Sequence, residues 1–510
     1  MERRRGASQQ RTGVSQQKEP RSQEEQSRRR QPAKEEEVAD RIEMGDAPRN
    51  FESQTRLLGS TEQNWCKAVA GGTGITALAL QISKEPNVSL FKKALQKLQN
   101  DHPILNSMLH KNASTGLTFF NPPIPDHIPL NIMNQLKTSE LLRTLTSIGS
   151  NSSLSPLHLL LEHELNINEW SDIASRLSSM GGLPLWFANV YTLPDQKWVL
   201  VLRLHVGICD RTTAVSLLKE LKEAVADQGG GGYKEKGNVG IEELIPVGKA
   251  KKTLWAHGKD MVAYSVNSLT LTNLKFKDVK SPRRSEVVRL KMNTQETQML
   301  LAGCKLRGIK LCGALVAATL LAAYSSNHNN NRKKYGVVFL NDCRPYLQPS
   351  LSTHEFGFYH SAISTSQEVK GEETLWDLAT KTYMTFENSK NNNKHFSDMA
   401  DLNFLMSKAI ENPSLTPSSS LRTSLVTVFE DPIIESSSDI ECEIGLDDYI
   451  GCASAHGIGP SIGLFDTVRD GRLDCACVYP APLHSREQMQ GMIAKMKVIL
   501  LESLKEEGKA

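Results

Sequence analysis

Apolar positions recur at two different periods along this chain. In "NVSLFKKALQKLQNDHPIL" they fall at Val88, Phe91, Leu95 and Leu98, a spacing that lays one stripe along a helix. Asn87 or Ser89 can cap its start and Pro103 ends it. "KWVLVLRL" at 197–204 is instead short, nearly all apolar and bounded by turn residues, which predicts a strand covered on both faces. After Asp210 the helical period returns, with Ala214, Leu217, Leu218, Leu221 and Val225 on one side. "TQETQMLLAGCKLRG" and "IKLCGALVAATLLAAYSS" predict a helical pair, and "YGVVFL" at 335–340 another buried strand. The chain closes on strand-like "GRLDCACVYP" and a helix from Ser485. Strands and helices alternate irregularly in two halves of similar size, which predicts an α/β or α+β protein with two lobes.

Other stretches carry neither period. Residues 1–50 are Gln, Ser, Arg and Glu with few branched or aromatic residues, too little apolar surface to offset the entropy of ordering, so a disordered tail is expected. Its 12 Lys/Arg stand against 10 Asp/Glu, and "RRR" at 28–30 followed by "KEEE" reads as a solvated polyampholyte rather than a nuclear-import or RNA-touching patch. "GGGGYKEKG" from 229 predicts a surface loop. It is no phosphate-binding loop, because no strand precedes it and no GK[ST] follows. Asn- and Ser-rich stretches at 327–331, 388–393 and 412–420 are expected as loops. The longest apolar run, "LCGALVAATLLAA" at 311–323, falls short of the roughly 20 residues that cross a bilayer and predicts a buried helix.

Composition narrows the picture further. With 510 residues and a hydrophobic fraction of 39%, the chain exceeds one compact core. A net charge of +3 supplies no electrostatic reason for a nucleic-acid or anionic-membrane partner. None of the nine cysteines forms a CxxC pair or a His/Cys cluster of zinc spacing. They read as reduced, mostly buried thiols, and no metal site is expected. The opening "MERRRGASQQ" is not followed by the apolar core of a signal peptide, so a cytoplasmic location is expected.

One stretch carries chemistry. In "LRLHVGICDRTTA", residues 202–214, an apolar strand runs into His205, a loop of small residues, Asp210 and an amphipathic helix. The segment resembles the HHxxxDG signature of the chloramphenicol acetyltransferase-like superfamily, to which condensation domains, alcohol acetyltransferases, polyketide-associated acyltransferases and the plant BAHD enzymes belong. Three further stretches are similar in order and spacing: "FKKALQKLQNDHPILNSML", "CKLRGIKLCGALVAATLLAA" and "NDCRPYLQPSLSTHEFGFYHSAI". The resemblance covers roughly 51–505. It implies two similar lobes, each a sheet flanked by helices, at 51–265 and 266–510, with a tunnel between them that substrates enter from opposite faces.

The resemblance also implies roles for residues. The second histidine of the signature is the general base that takes a proton from an acceptor hydroxyl or amine as it attacks a thioester, a task suited to a neutral imidazole. The aspartate is structural and bonds an arginine. Asp210 matches the aspartate and Arg344 its partner, and a buried bidentate pair is expected. His205 matches the first histidine. The base position falls on Val206, which cannot accept a proton, and the following glycine is Arg211. A register slipped by one makes His205 the base and leaves Cys209 at the aspartate position; the junction into the helix and the Arg344 partner favour Asp210. A step of one turns a strand side chain to the other face, so His205 is expected to point away from the tunnel.

A replacement base has three candidates, His456, His360 and His354, each with the plainer reading of a surface or satisfied core histidine. Cys209 as a nucleophile needs a neighbouring base or cation, and a buried inert thiol is the favoured reading although Arg211 adjoins it. "EFGFY" at 355–359 superficially resembles the DFGWG motif of the BAHD enzymes, but it follows "CRPYLQP" too closely. Gly357 therefore aligns with the glycine of the superfamily's "GN". Absence of DFGWG points to the alcohol acetyltransferase or condensation-like branches.

Two functions are weighed. One is acyl transfer from acyl-CoA, a co-substrate rather than a bound cofactor, to an alcohol or amine. The other is a pseudoenzyme that keeps the tunnel to bind a ligand or protein. A third idea makes the tail the functional part. A monomer is expected, with the small-molecule donor and acceptor as partners, no nucleic acid and no membrane span.

Overall fold

The computed structural model describes residues 55–507 apart from 86, 113–115, 121–129, 148–152, 174, 177–181, 227–237 and 327–331. The expected tail at 1–50 and the loops at 229–237 and 327–331 lie outside the described residues. The nearly all-apolar "WVLVLRLH" forms strand Trp198–His205, buried from Val199 onward. It is the middle strand of a five-stranded sheet whose order is Leu446–Ala455, Thr73–Ile82, Trp198–His205, Trp186–Thr192 and Leu130–Met133. A central strand with both edges paired and both faces covered satisfies its backbone without polar side chains, which is why it reads as a continuous apolar run.

A second, seven-stranded sheet runs in the order His360–Val369, Lys333–Asp342, Arg422–Phe429, Gly459–Arg469, Arg472–Ala481 and Arg284–Lys291, with Ile433–Glu435 paired to Gly459–Arg469. Helix Leu311–Ser325 is buried almost all round, with no polar face, and sits in a core with Phe339, Val426, Ile462 and Met496. Helices Leu375–Asn391 and Arg486–Glu507 pack beside it. Among the described residues no single helix is long and apolar enough to cross a membrane.

The two halves are not separate in space. Strand Leu446–Ala455, from the second half, pairs antiparallel with Thr73–Ile82 and completes the first sheet. A shared core joins the sheets, with Ala77, Ala79 and Val201 on one side and Val287, Ala476 and Val478 on the other, beside Leu157, Leu160 and Leu161 of helix Pro156–Leu165. Residues 52–510 form one compact unit, and position 265 falls within helix Leu254–Thr270.

Local elements follow their sequence signals, with one exception. Asn87 caps helix Val88–Asp101 by accepting from the Ser89 and Leu90 backbone N–H groups at 3.1 Å each, and Pro103 opens a 3₁₀ turn after it. The stretch 388–393, expected as a loop, is helical as far as Asn391. Tyr383 and Phe386 are buried on the preceding turn, and their packing carries the helix through its polar end. The helix stops where Asn393 takes the left-handed conformation at φ 57°, which asparagine tolerates.

Candidate functional site

The strand Trp198–His205 ends in a 3₁₀ turn, Val206–Ile208, and Asp210 then caps helix Arg211–Val225. Its Oδ1 accepts from the Thr213 N–H at 2.8 Å. The same carboxylate meets Arg344 in a bidentate pair, Nη1 to Oδ2 at 2.9 Å and Nη2 to Oδ1 at 3.2 Å. Oδ2 also accepts from the Tyr359 N–H at 2.8 Å. Asp210 is 3% exposed and Arg344 1%. Burial alone would raise the carboxyl's pKa, but Arg344, with His360 adding to it, holds it well below the usual carboxylate range. Arg344 spends its other donors on Asp342 Oδ1 at 3.1 Å, the Glu355 carbonyl at 3.1 and 3.3 Å and Thr213 Oγ1 at 3.0 Å.

Gly357 does not line the cavity beside this pair. Its carbonyl accepts from the Asp210 N–H at 3.1 Å and from the Thr213 hydroxyl at 3.1 Å. Its φ is +151°, and a Cβ there would stand 2.7 Å from Asn238 Nδ2 and 2.8 Å from the Tyr359 ring. Glycine is required because this backbone is clamped against its neighbours.

A cavity of about 160 Å³ lies where the two sheets face each other, its walls largely apolar: Trp65, Leu78, Val206, Phe358, Phe429 and Phe465 are among them. Val206 faces this space, and Cys209, Asp210, Arg211 and His360 also reach it. His205 does not. Its Nδ1 accepts from the Gly207 N–H at 3.0 Å and its ring stands edge-on to Trp170, with centroids 5.3 Å apart. Burial pushes its imidazole down to about 3, so it is neutral throughout the ordinary pH range.

The other candidates separate cleanly. His360 lines the cavity at the start of strand His360–Val369 of the second sheet, its Nδ1 3.0 Å from Asp210 Oδ2 but off the line of a well-formed hydrogen bond, its ring edge-on to Phe429 at 5.7 Å. His456, a candidate for the replacement base, does not line the cavity; its Nδ1 lies 3.0 Å from Ser285 Oγ, and burial, with Arg422 and Arg283 nearby, lowers it to about 4. It sits on the turn between strands Leu446–Ala455 and Gly459–Arg469 and packs over Gly72, which keeps it outside the space. His354 is partly exposed and bonds Glu220 Oε1 at 2.7 Å. The Cys209 thiol is pushed well up by burial and by the Asp210 carboxylate, against the pull of Arg344, which makes it inert.

Arg211 stands where the HHxxxDG signature has glycine. Its guanidinium carbon lies 4.4 Å from the Phe429 ring centroid, Nη1 donates to the Asp431 carbonyl at 3.1 Å, and Nη1 is 3.2 Å from Asp466 Oδ1. Asp466 is fully buried; burial raises its pKa and Arg211 opposes that. Neither Asp466 nor the Tyr449 hydroxyl bond to Glu435 Oε2 at 2.6 Å had a signal in the sequence, since each depends on strands brought together from afar. Elsewhere Asp260, Asp398 and Asp401 converge, but on Lys252 Nζ at 2.7, 2.5 and 2.8 Å. That ammonium already occupies the point where the three carboxylates meet.

No model of a protein family matches the sequence, and no curated protein does. Solved structures do match. The polyketide synthase associated protein 5 of Mycobacterium tuberculosis is 15% identical with a TM-score of 0.59, over 87% of this chain and 97% of that one. The TRI3 trichothecene 15-O-acetyltransferase of Fusarium sporotrichioides is 9% identical with a TM-score of 0.62, over 88% and 94%. The condensation domain of the monacolin K polyketide synthase MokA is 8% identical with a TM-score of 0.59, over 89% and 98%. This chain has the condensation-domain fold. At such identities the likeness is one of fold, and function has to be argued from the site. Within the condensation-type fold, the Asp210–Arg344 pair stands beyond the end of the central strand, and at position 206 a valine rather than an imidazole lines the cavity.

Proposed function

We propose that this chain transfers an acyl group from a CoA thioester to an alcohol or amine in the cavity between its sheets. The observation that carries the reading is the loop 205–210, shaped and buried by Arg344, which presents position 206 to an apolar cavity. In this reading the halves 51–265 and 266–510 act as the two lobes that admit donor and acceptor, and the protein works as a cytoplasmic monomer. The lining favours an apolar acyl chain, because Leu78, Leu218, Phe358 and Phe465 offer dispersion contacts and no partner for a charge. Holding donor and acceptor together supplies rate through positioning even without a base at 206.

Val206 favours a second reading, a binding module that has kept the cavity and given up turnover. Thiol release from a panel of acyl-CoAs with pooled alcohol and amine acceptors, measured for the native protein and Val206→His, separates the two. Release by the native protein supports acyl transfer. Release by Val206→His alone supports the binding module, the site having been preserved without its base.

A further inference from the structure

We infer that His360, held beside the Asp210 carboxylate, is the group that takes the acceptor's proton in this cavity. The inference rests on the acyl-transfer reading above. Among the described residues His360 is the histidine that lines the cavity; His205 packs against Trp170, His456 bonds Ser285 and His354 bonds Glu220.

Its surroundings are those of an oriented base. A carboxylate on the Nδ1 side, with Oδ2 at 3.0 Å, favours the tautomer with the proton on Nδ1 and leaves the Nε2 lone pair to accept. Phe429 stands edge-on to the ring and limits its rotation. The Nδ1 contact is short but poorly aligned, as such contacts are before substrate tightens them. Besides Asp210, the charged and titratable groups around the cavity are Arg211 over the same Phe429, Glu435 bonded to Tyr449, and the buried thiols of Cys209 and Cys452. Of these, Arg211 is engaged with Asp466, and Glu435 with the Tyr449 hydroxyl.

The reaction then runs as follows. The acceptor's O–H or N–H proton passes to His360 Nε2 as the oxygen or nitrogen attacks the thioester carbonyl. The tetrahedral intermediate collapses with cleavage of the C–S bond, and the imidazolium returns the proton to the departing thiolate. The products are an ester or amide and free CoA.

The test is thiol release by the full chain, native and His360→Gln, with thermal unfolding as a check on folding. The expected result is a fall in kcat of about 100- to 10,000-fold for His360→Gln, with KM for acyl-CoA little changed and partial recovery on adding Val206→His. Turnover that persists in His360→Gln overturns the inference and leaves acyl transfer standing. No release by the native protein from any acyl-CoA overturns the acyl-transfer reading, and this inference with it.

Discussion

His205 and Val206 adjoin in sequence and serve opposite sides of one strand end. His205 turns inward to Trp170 and bonds its own turn, while Val206 faces the cavity. Strand alternation anticipated that division, but the strand ends at His205 and the 3₁₀ turn that opens at Val206 sets it. The partner of Asp210, 134 residues away, was implied only by the resemblance to the HHxxxDG signature and its arginine stretch. What no local pattern contained was the approach of His360 to the same carboxylate, which depends on strand His360–Val369 starting at that depth. Asp210→Ala should cost about 3–5 kcal/mol, because it strands a buried guanidinium. Urea unfolding of the variant measures this, and an unchanged midpoint would show that water or another acceptor replaces the carboxylate.

Elements were read where their stabilisation is local. The helix Val88–Asp101 announces itself through one stripe and one cap, and Asn87→Ala should lower stability by about 1 kcal/mol by leaving the Ser89 and Leu90 N–H groups without that acceptor. A shift of the thermal midpoint by less than a degree would mean that solvent satisfies them. The helix Leu311–Ser325 was equally plain, since an unbroken apolar run too short for a bilayer has a protein core as its alternative. Polar composition misled at 388–391, where burial of the preceding turn outweighs asparagine's weak helix preference. The exchange of Leu446–Ala455 into the first sheet had no signature, because an apolar strand looks the same whichever sheet receives it.

At the scale of the whole molecule, several histidines are packed where a charge is not tolerated. His205 and His484 are fully buried, and burial lowers each to about 3, with Arg422 adding to the effect at His484. Both are neutral in folded and unfolded chains above about pH 6.5, the unfolded value. As pH falls below that, the unfolded chain binds protons the folded one refuses, so the stability present at neutral pH is lost progressively towards pH 3. Each histidine contributes a slope of up to about 1.4 kcal/mol per pH unit. Asp210, depressed by Arg344, adds its own loss below about pH 4. Urea midpoints should therefore drop between pH 7 and pH 5, and a constant midpoint would show the histidines reaching water. The sequence by itself determined the periodic elements, because each is written in neighbouring residues, whereas the arginine partner of Asp210 and the reading of position 206 came through the resemblance to the HHxxxDG signature. Only the tertiary structure decided the cavity, the strand exchange and the meeting of His360 with Asp210, since these come from which faces of distant strands are buried together.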